Sequence, residues 1–502
     1  MNPKRLFFFL ALVVPLFTAC ADDPNASADD ELLREATQLV TIETRAGELT
    51  FENSFDAGIP VSETVEKLFS EIDFQRACQA YIWAMPMMGF YEWMFVHDRQ
   101  GVERGQVVYH ESYESKLGGL TFNTSTPYVI TFVDLREGPL LVEMPNAPVR
   151  GAMHTMWQVG IAQMTEPGSY IFVGPGMAEP ENVPDLAKVF RSDTSQVFLG
   201  VRLMSDSHEQ RMADLNGIKL TNFATQEPFS NKEPMFLEAG EDLKQARGMA
   251  YWESLHKAIN LTPVREQDRI IIDFLRPLGI EIGQPFEPNE HQRDILEEAV
   301  LVGEAMAKTI DFNKSERLPQ SEYGPEGNSW EIATASSPDQ NRDDGVDLDG
   351  RAAWFYEAVT NDIAMHGMAN GGWGQVYLDN YRDSEGHGLN GGFHYSLTVP
   401  GDVPIAETFW TVTVYNVDNR AIVDNTLGRA DVGSNIEGTA RNDDGSYTFH
   451  FSPQMPEGVA EANWVQTNPG ENWFVYFRAY SPSKEFVAQD PRTVLPNFVR
   501  VD

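Results

Sequence analysis

The chain has 502 residues, with 37 lysines and arginines against 75 aspartates and glutamates, a formal net charge of −38 at pH 7. A surface of that sign repels nucleic acid and anionic headgroups. It also disfavours highly phosphorylated or sulfated ligands unless a local basic pocket or a bound cation reverses the field. At this length and 42% apolar content, two or three domains with real cores are expected, and two cysteines leave no disulfide framework or zinc cluster to staple them.

In chain order, Lys4 and Arg5 precede the apolar run Leu6–Val14, and Leu16-Phe17-Thr18-Ala19-Cys20 follows. A charged start, a short apolar core and small residues before a cut predict a secretory signal over residues 1–19, too short to remain as a membrane span. The cysteine after Thr18-Ala19 resembles a bacterial lipoprotein box. Cys20 is therefore the expected lipidation site, with the protein anchored in the cell envelope on the non-cytoplasmic side. Residues 20–58, polar and acidic at Asp22, Asp23, Asp29, Asp30 and Glu31, read as a tether. Cys78, among Phe74, Ala77 and Tyr81 at helical spacing, reads as a buried inert thiol.

Val65, Leu68, Phe69, Ile72, Phe74, Ala77, Tyr81, Ala84 and Met85 predict an amphipathic helix that Pro86 kinks or ends. Between Leu120 and Pro175 the period changes to two. Strands are predicted at 128–133, 140–144, 152–158 and 170–173, punctuated by Gly138-Pro139, Pro145-Asn146 and Pro167-Gly168. Helix returns over 235–312, where Asn289 and Gln292 form a capping-box start before the stripe Ile295, Leu296, Ala299, Val300, Val302, Ala305, Met306 and Ile310. A polar loop over 313–350 and a short helix at 351–366 precede a second strand-rich stretch. Its strands are predicted at 393–399, 409–415, 447–451 and 473–480, with a hairpin signal at Asp443-Asp444-Gly445-Ser446. The expected fold is α+β: two β-sandwich-like, predominantly antiparallel domains at 59–200 and 351–502, joined by a helical linking region over 201–350.

Two ordered sets of residues carry a family resemblance. The first runs from Ala80-Tyr81-Ile82-Trp83 through Asn123-Thr124-Ser125-Thr126-Pro127-Tyr128, Arg150 and Tyr170–Gly176. The second is Tyr377, Asp383-x-Glu385-Gly386, Leu389-Asn390-Gly391, Phe409-Trp410-x-x-Thr413-x-Tyr415, Asn463-Trp464 and Arg478-Ala479-Tyr480-Ser481-Pro482. Together they resemble the proteins that pair a DUF1254 domain with a DUF1214 domain. Many members carry an acid between the asparagine and the tyrosine of the first motif; here Thr124, Ser125 and Thr126 fill that stretch. The resemblance implies two sheet-built domains packed around helices, and it supplies no reaction.

Strand alternation over 150–158 would set Arg150, Ala152, His154, Met156 and Gln158 on one face, with Arg150 as an oxygen-binding cation and His154 as acid, base or ligand. Asn123, Thr126 and Tyr128 offer hydroxyl and amide contacts to a polar ligand, and Trp410 and Tyr415 offer stacking surfaces. Each set has an equally ordinary structural role, in turn, sheet or core. Asp379, Asp383 and Glu385 lie within seven residues, and Asp383 and Glu385 are the candidates for a divalent cation such as Ca²⁺; no other cofactor is evident. No Walker loop, dinucleotide glycine motif, GxSxG or HExxH occurs. Three readings stay open: an envelope lipoprotein binding and hydrolysing a carbohydrate, polyol or ester in an interdomain cleft; a non-catalytic binding or scaffold lipoprotein; and a cation-dependent hydrolase. Partners are then a small or oligosaccharide-like ligand, the membrane through the lipid, and a second copy of the chain, with nucleic acid excluded.

Overall fold

A computed structural model describes residues 38–321, 323–324, 327–368 and 374–501. The signal segment and Cys20 lie outside the described residues. The N-terminal domain stacks two sheets. In spatial order the larger holds strands Met235–Phe236, Val108–His110, Tyr128–Asp134, Gln196–Leu203, Val149–Thr155 and Gly160–Met164, and the smaller holds Lys219–Asn222, Leu140–Met144, Gly168–Val173 and Lys188–Arg191. The C-terminal domain repeats the plan. One sheet runs Glu331–Ile332, Gln375–Asn380, Trp473–Pro482, Ala406–Asn416 and Asp431–Gly433; the other runs Trp464–Gln466, Tyr447–Ser452, His394–Val399 and Val499–Val501. Most pairings are antiparallel, as expected; Met235–Phe236, Lys188–Arg191 and Trp464–Gln466 pair in parallel.

Between the domains lie helices Ser62–Arg99, Met249–Ile259, Glu290–Phe312 and Leu348–Glu357. The capping box at Asn289 and Gln292 forms as expected. One apolar core is continuous from these helices to Ile130, Phe132 and Phe198 of the N-terminal domain and to Val412, Phe474 and Phe477 of the C-terminal one. A second core fills the gap between the two N-terminal sheets. The two domains therefore share an apolar seam. Cys78 is buried in the larger core, and burial pushes its thiol up to about 11, as suits an inert packing residue.

Several expectations change. The first helix does not end at Pro86. It runs on to Arg99, and almost every residue from Ala77 to His97 is buried. Pro86 costs one rung of the ladder, but its own carbonyl accepts Nε2 of Gln158 at 2.6 Å and its neighbours are fixed by packing on all sides. The helix's first turns are less buried than their spacing suggested, and Phe69 remains 63% exposed. The tether reading fails over residues 39–52, where Leu39–Thr44 and Gly47–Glu52 pair as a hairpin with Leu49 and Phe51 buried. The β-rich alternation there outweighs the flanking acids. A domain boundary at residue 200 would cut a strand. The N-terminal unit continues through helix His208–Gly217 to Lys219–Asn222, which pairs with Leu140–Met144. The Asp443–Ser446 turn forms, with Gly445 at φ +83°, yet it leads into the Tyr447 strand from an irregular segment rather than from a hairpin partner.

A candidate site in the interdomain cleft

One face of the large N-terminal sheet builds the floor. The register sets Tyr128 opposite Arg202, Arg202 opposite Arg150, and Phe198 opposite His154. Side chains at every second position share a face, so Tyr128, Ile130, Phe198, Arg202, Arg150 and His154 line one side. The facing wall comes from the C-terminal domain, where Tyr377 lies opposite Arg478 and Gln375 opposite Tyr480. Trp93 of the first helix and the segment from Trp354 to Met365 close the remainder. The cavity, partly open to solvent, has a volume of about 170 Å³.

The alternation predicted over 150–158 holds only to Thr155. Arg150 and His154 do share the cavity face, but the strand ends there, and Gln158 sits in a turn with φ +62°. That turn has its own task. Oε1 of Gln158 accepts the backbone N–H of Thr360 at 2.6 Å, its carbonyl accepts N–H of Asn361 at 3.2 Å, and N–H of Gly160 bonds the Asn361 carbonyl at 3.1 Å. The stitched segment delivers Asp362, whose Oδ2 lies 3.2 Å from His154 Nε2. The approach requires glycine at position 160, because a Cβ there would stand 2.8 Å from that of Asp362. Burial opposes charge on Asp362, but the His154 hydrogen bond, with help from Gln163 and the Ala364 N–H, outweighs it and holds the carboxyl below its ordinary value. His154 is 1% exposed and its Nδ1 has no protein partner.

Asn123 and Tyr128 also reach the cavity, with the Asn123 amide donating to the Tyr128 hydroxyl. Thr126 does not. Its hydroxyl and N–H both go to Asn123 Oδ1, at 3.1 and 2.9 Å, so it shapes the loop instead of offering a ligand contact. The loop is braced from behind by the buried Lys116, whose Nζ donates to the carbonyls of Thr124 and Thr126. Burial pulls this ammonium down to about 7.

Trp410 and Tyr415 are not ligand contacts. Trp410 stacks on Phe477 and meets Tyr447 and Phe449 edge-on between the two C-terminal sheets, which makes it core. Tyr415, on the opposite face of the same strand, donates to the Phe122 carbonyl at 2.8 Å and accepts from Arg478 at 2.5 Å. It positions Arg478 from outside the cavity lining. Asp383 and Glu385 likewise form no cation site. Asp383 Oδ1 accepts the backbone N–H groups of Glu385 and His387, both at 2.9 Å, as a turn carboxylate does, while Glu385 points to solvent. Among the described residues no group of three or more His, Cys, Asp and Glu side chains could hold a metal ion.

Sequence reasoning passed over three cavity residues: Arg202, Arg478 as a charge, and Asp362. Arg478 donates to the Thr121 carbonyl at 2.7 Å, and its guanidinium carbon sits 5.3 Å from the Tyr377 ring centre. Arg202 lies 5.9 Å from the ring centre of Tyr128 and is electrostatically coupled to Tyr377, whose hydroxyl donates to Gln375 Oε1. Both arginines thus flank one tyrosine, whose phenol burial pushes up to about 12 against the pull of Arg202, so it stays a neutral donor.

Comparison with known proteins places these walls in two families. Residues 107–220 match the protein of unknown function DUF1254, and residues 374–484 match the protein of unknown function DUF1214. The chain is a DUF1254/DUF1214 two-domain protein. The DUF1254 domain supplies Asn123, Tyr128, Arg150, His154 and Arg202, the DUF1214 domain supplies Gln375, Tyr377 and Arg478, and Asp362 comes from the segment between them. Among solved structures, the VPA0106 protein of Vibrio parahaemolyticus aligns over 86% of this chain and 100% of its own, at 18% identity and a TM-score of 0.49. An uncharacterised protein of Burkholderia cenocepacia aligns over 88% and 98%, at 13% identity and a TM-score of 0.39. No curated protein matches the chain.

Proposed function

We propose that the protein is an envelope lipoprotein, anchored through Cys20, that binds a small polar ligand between its two domains and moves a proton to or from it through His154. One observation carries the reading: a buried histidine, tied to a carboxylate at 3.2 Å through Nε2 and unpartnered at Nδ1, on the wall of a cavity that both domains line. With the Nε2 proton directed at Asp362, Nδ1 keeps the free lone pair that a general base needs, and the carboxylate steadies the imidazolium that forms. Among the described residues no hydroxyl or thiol bonds to His154. That favours activation of water over attack by a protein nucleophile, and hydrolysis of an ester-type bond is the reaction class that fits.

Non-catalytic binding is the second reading, favoured by the rings of Phe90 and Phe198, packed edge-on at 6.2 and 5.9 Å from the imidazole as in an ordinary core. A thermal-stability screen over sugars, polyols, organic acids, phosphates and esters identifies ligands by mass action. His154→Gln and Asp362→Asn are then expected to keep ligand binding and lower turnover about 10²-fold or more. Wild-type binding without turnover would leave the second reading; a screen in which nothing raises the melting temperature would remove both. Anchoring is tested separately, since Cys20→Ala should move the protein from the membrane to the soluble fraction.

A further inference from the structure

Resting on that reading of the cleft, we infer that its ligand is a small organic acid: one carboxylate held between Arg202 and Arg478, on an apolar body that lies along the sheet toward His154. In a chain of net charge −38, the charged side chains lining the cavity among the described residues are Arg150, Arg202 and Arg478 against Asp362, and Asp362 is already committed to His154. Among the described residues no aspartate or glutamate pairs with Arg202 or Arg478. The oxygens that Arg478 does reach, the Tyr415 hydroxyl and the Thr121 carbonyl, are neutral; they aim the guanidinium without cancelling its charge.

A guanidinium cannot shed its proton to escape such a setting, as a lysine can. Its charge calls for an anion, and a planar fork suits a carboxylate. The phenol of Tyr128, which accepts from Asn123, adds a hydroxyl proton near the same point, while that of Tyr377 is given to Gln375. A sugar or polyol would occupy the space and leave both charges unanswered.

The rest of the lining sets the body of the ligand. Arg202 and Phe198 lie four residues apart on one strand, roughly 13 Å at about 3.3 Å per residue, with His154 opposite Phe198. Ile130, Gly200 and Phe198 pave that stretch, and Trp354, Val359 and Met365 face it. An apolar or aromatic body fits this path. Phosphate fits less well, because a dianion carries a far larger dehydration cost into apolar surroundings.

The test uses benzoate and hexanoate as probes, with methyl benzoate and inorganic phosphate as controls, measured by calorimetry on the full mature chain. Both acids should bind the wild type and His154→Gln, and at least tenfold more weakly to Arg202→Met and Arg478→Met. Arg202→Met is the decisive variant, because Arg478 also braces the Thr121 loop. The inference is overturned if methyl benzoate binds as well as benzoate, if phosphate binds and neither acid does, if neither acid binds at millimolar concentration, or if Arg202→Met leaves acid binding intact. Sugars or neutral esters that bind the wild type and Arg202→Met alike would overturn it and keep the cleft reading. Acid binding lost in Arg202→Met, with no turnover of any ligand by the wild type, would support it and remove the proton-transfer step.

Discussion

Two buried charge clusters sit back to back in this molecule and treat their charges in opposite ways. Behind the cleft, Lys314 lies among Asp311, Glu331 and Asp379, with Nζ to oxygen distances of 3.2, 3.6 and 2.7 Å, all with fully buried side chains. Glu357 completes the group through Tyr381, whose hydroxyl lies within hydrogen-bond reach of Glu357 at 2.9 Å and of Asp379 at 3.0 Å. Among the described residues, four acids thus share one cation. The excess is relieved by protons: burial pushes Asp311 and Glu331 up to about 7, against the pull of Lys314, and raises Glu357 and Asp379 as well. In the cleft the surplus is cationic, and arginine has no such escape. Tyr476 touches both worlds, lining the cavity while donating to Glu357. A surplus that the protein neutralises by itself belongs to the fold; one that it leaves standing points to something from outside.

The largest effect is expected from removing the one cation of the first cluster. Lys314→Met leaves acids that can only take up protons, and breaking a buried ion pair in this one-sided way typically costs about 3–5 kcal/mol. Urea unfolding at pH 7 measures it. A loss below about 1 kcal/mol would mean that the acids never depended on the lysine.

Next in size is a pH effect with a sign opposite to that of ordinary carboxylates. Asp311 and Glu331 titrate higher folded than unfolded, so the native state keeps protons that the unfolded chain has released. Their contribution is fully present below the ordinary carboxylate range near 4 and is lost as pH rises through about 7. Asp311→Asn removes one of these sites. The wild type should therefore lose on the order of 2 kcal/mol more stability than the variant between pH 5 and 8. Parallel curves would show that Asp311 carries its charge at neutral pH.

Neither cluster was fully legible in the sequence, for different physical reasons. Strand alternation is local, so the strands at 128–134, 140–144 and 473–482 and the shared face of Arg150 and His154 could be read directly. The Asp362 partner stands 208 positions from His154 and owes its place to the Gln158 turn, which no period announces. Arg202 ends an apolar strand and reads there as an ordinary edge charge. Ring count points to Trp410 and Tyr415, yet opposite parities of one strand face opposite ways, toward the core for Trp410 and toward Arg478 for Tyr415. Asp383 and Glu385 were close in sequence, but nearby carboxylates at a turn more often bind their own backbone than an ion. Lys314 falls in a stretch whose composition predicts a polar loop; Asp311 is three residues away, but nothing nearby reveals that the chain folds the lysine against the distant Glu331, Glu357 and Asp379 as well.

The smallest expected effect sharpens the contrast most. If Arg202 is unanswered in the free protein, its removal should cost the fold almost nothing. Arg202→Met keeps an unbranched stem of similar reach against Tyr128 and gives up the guanidinium's contact with the Tyr128 ring and its attraction to the Tyr377 phenol, worth about 1 kcal/mol. Against that loss stands relief from holding a half-buried guanidinium with no anion beside it, a term of similar size and opposite sign. The melting temperature of the ligand-free variant should therefore lie close to that of the wild type, and a bound acid should separate the two by stabilising only the wild type. A large destabilisation of the free variant would show instead that Arg202 is a structural cation like Lys314, satisfied by the phenols around it. The two clusters would then differ in sign but not in kind.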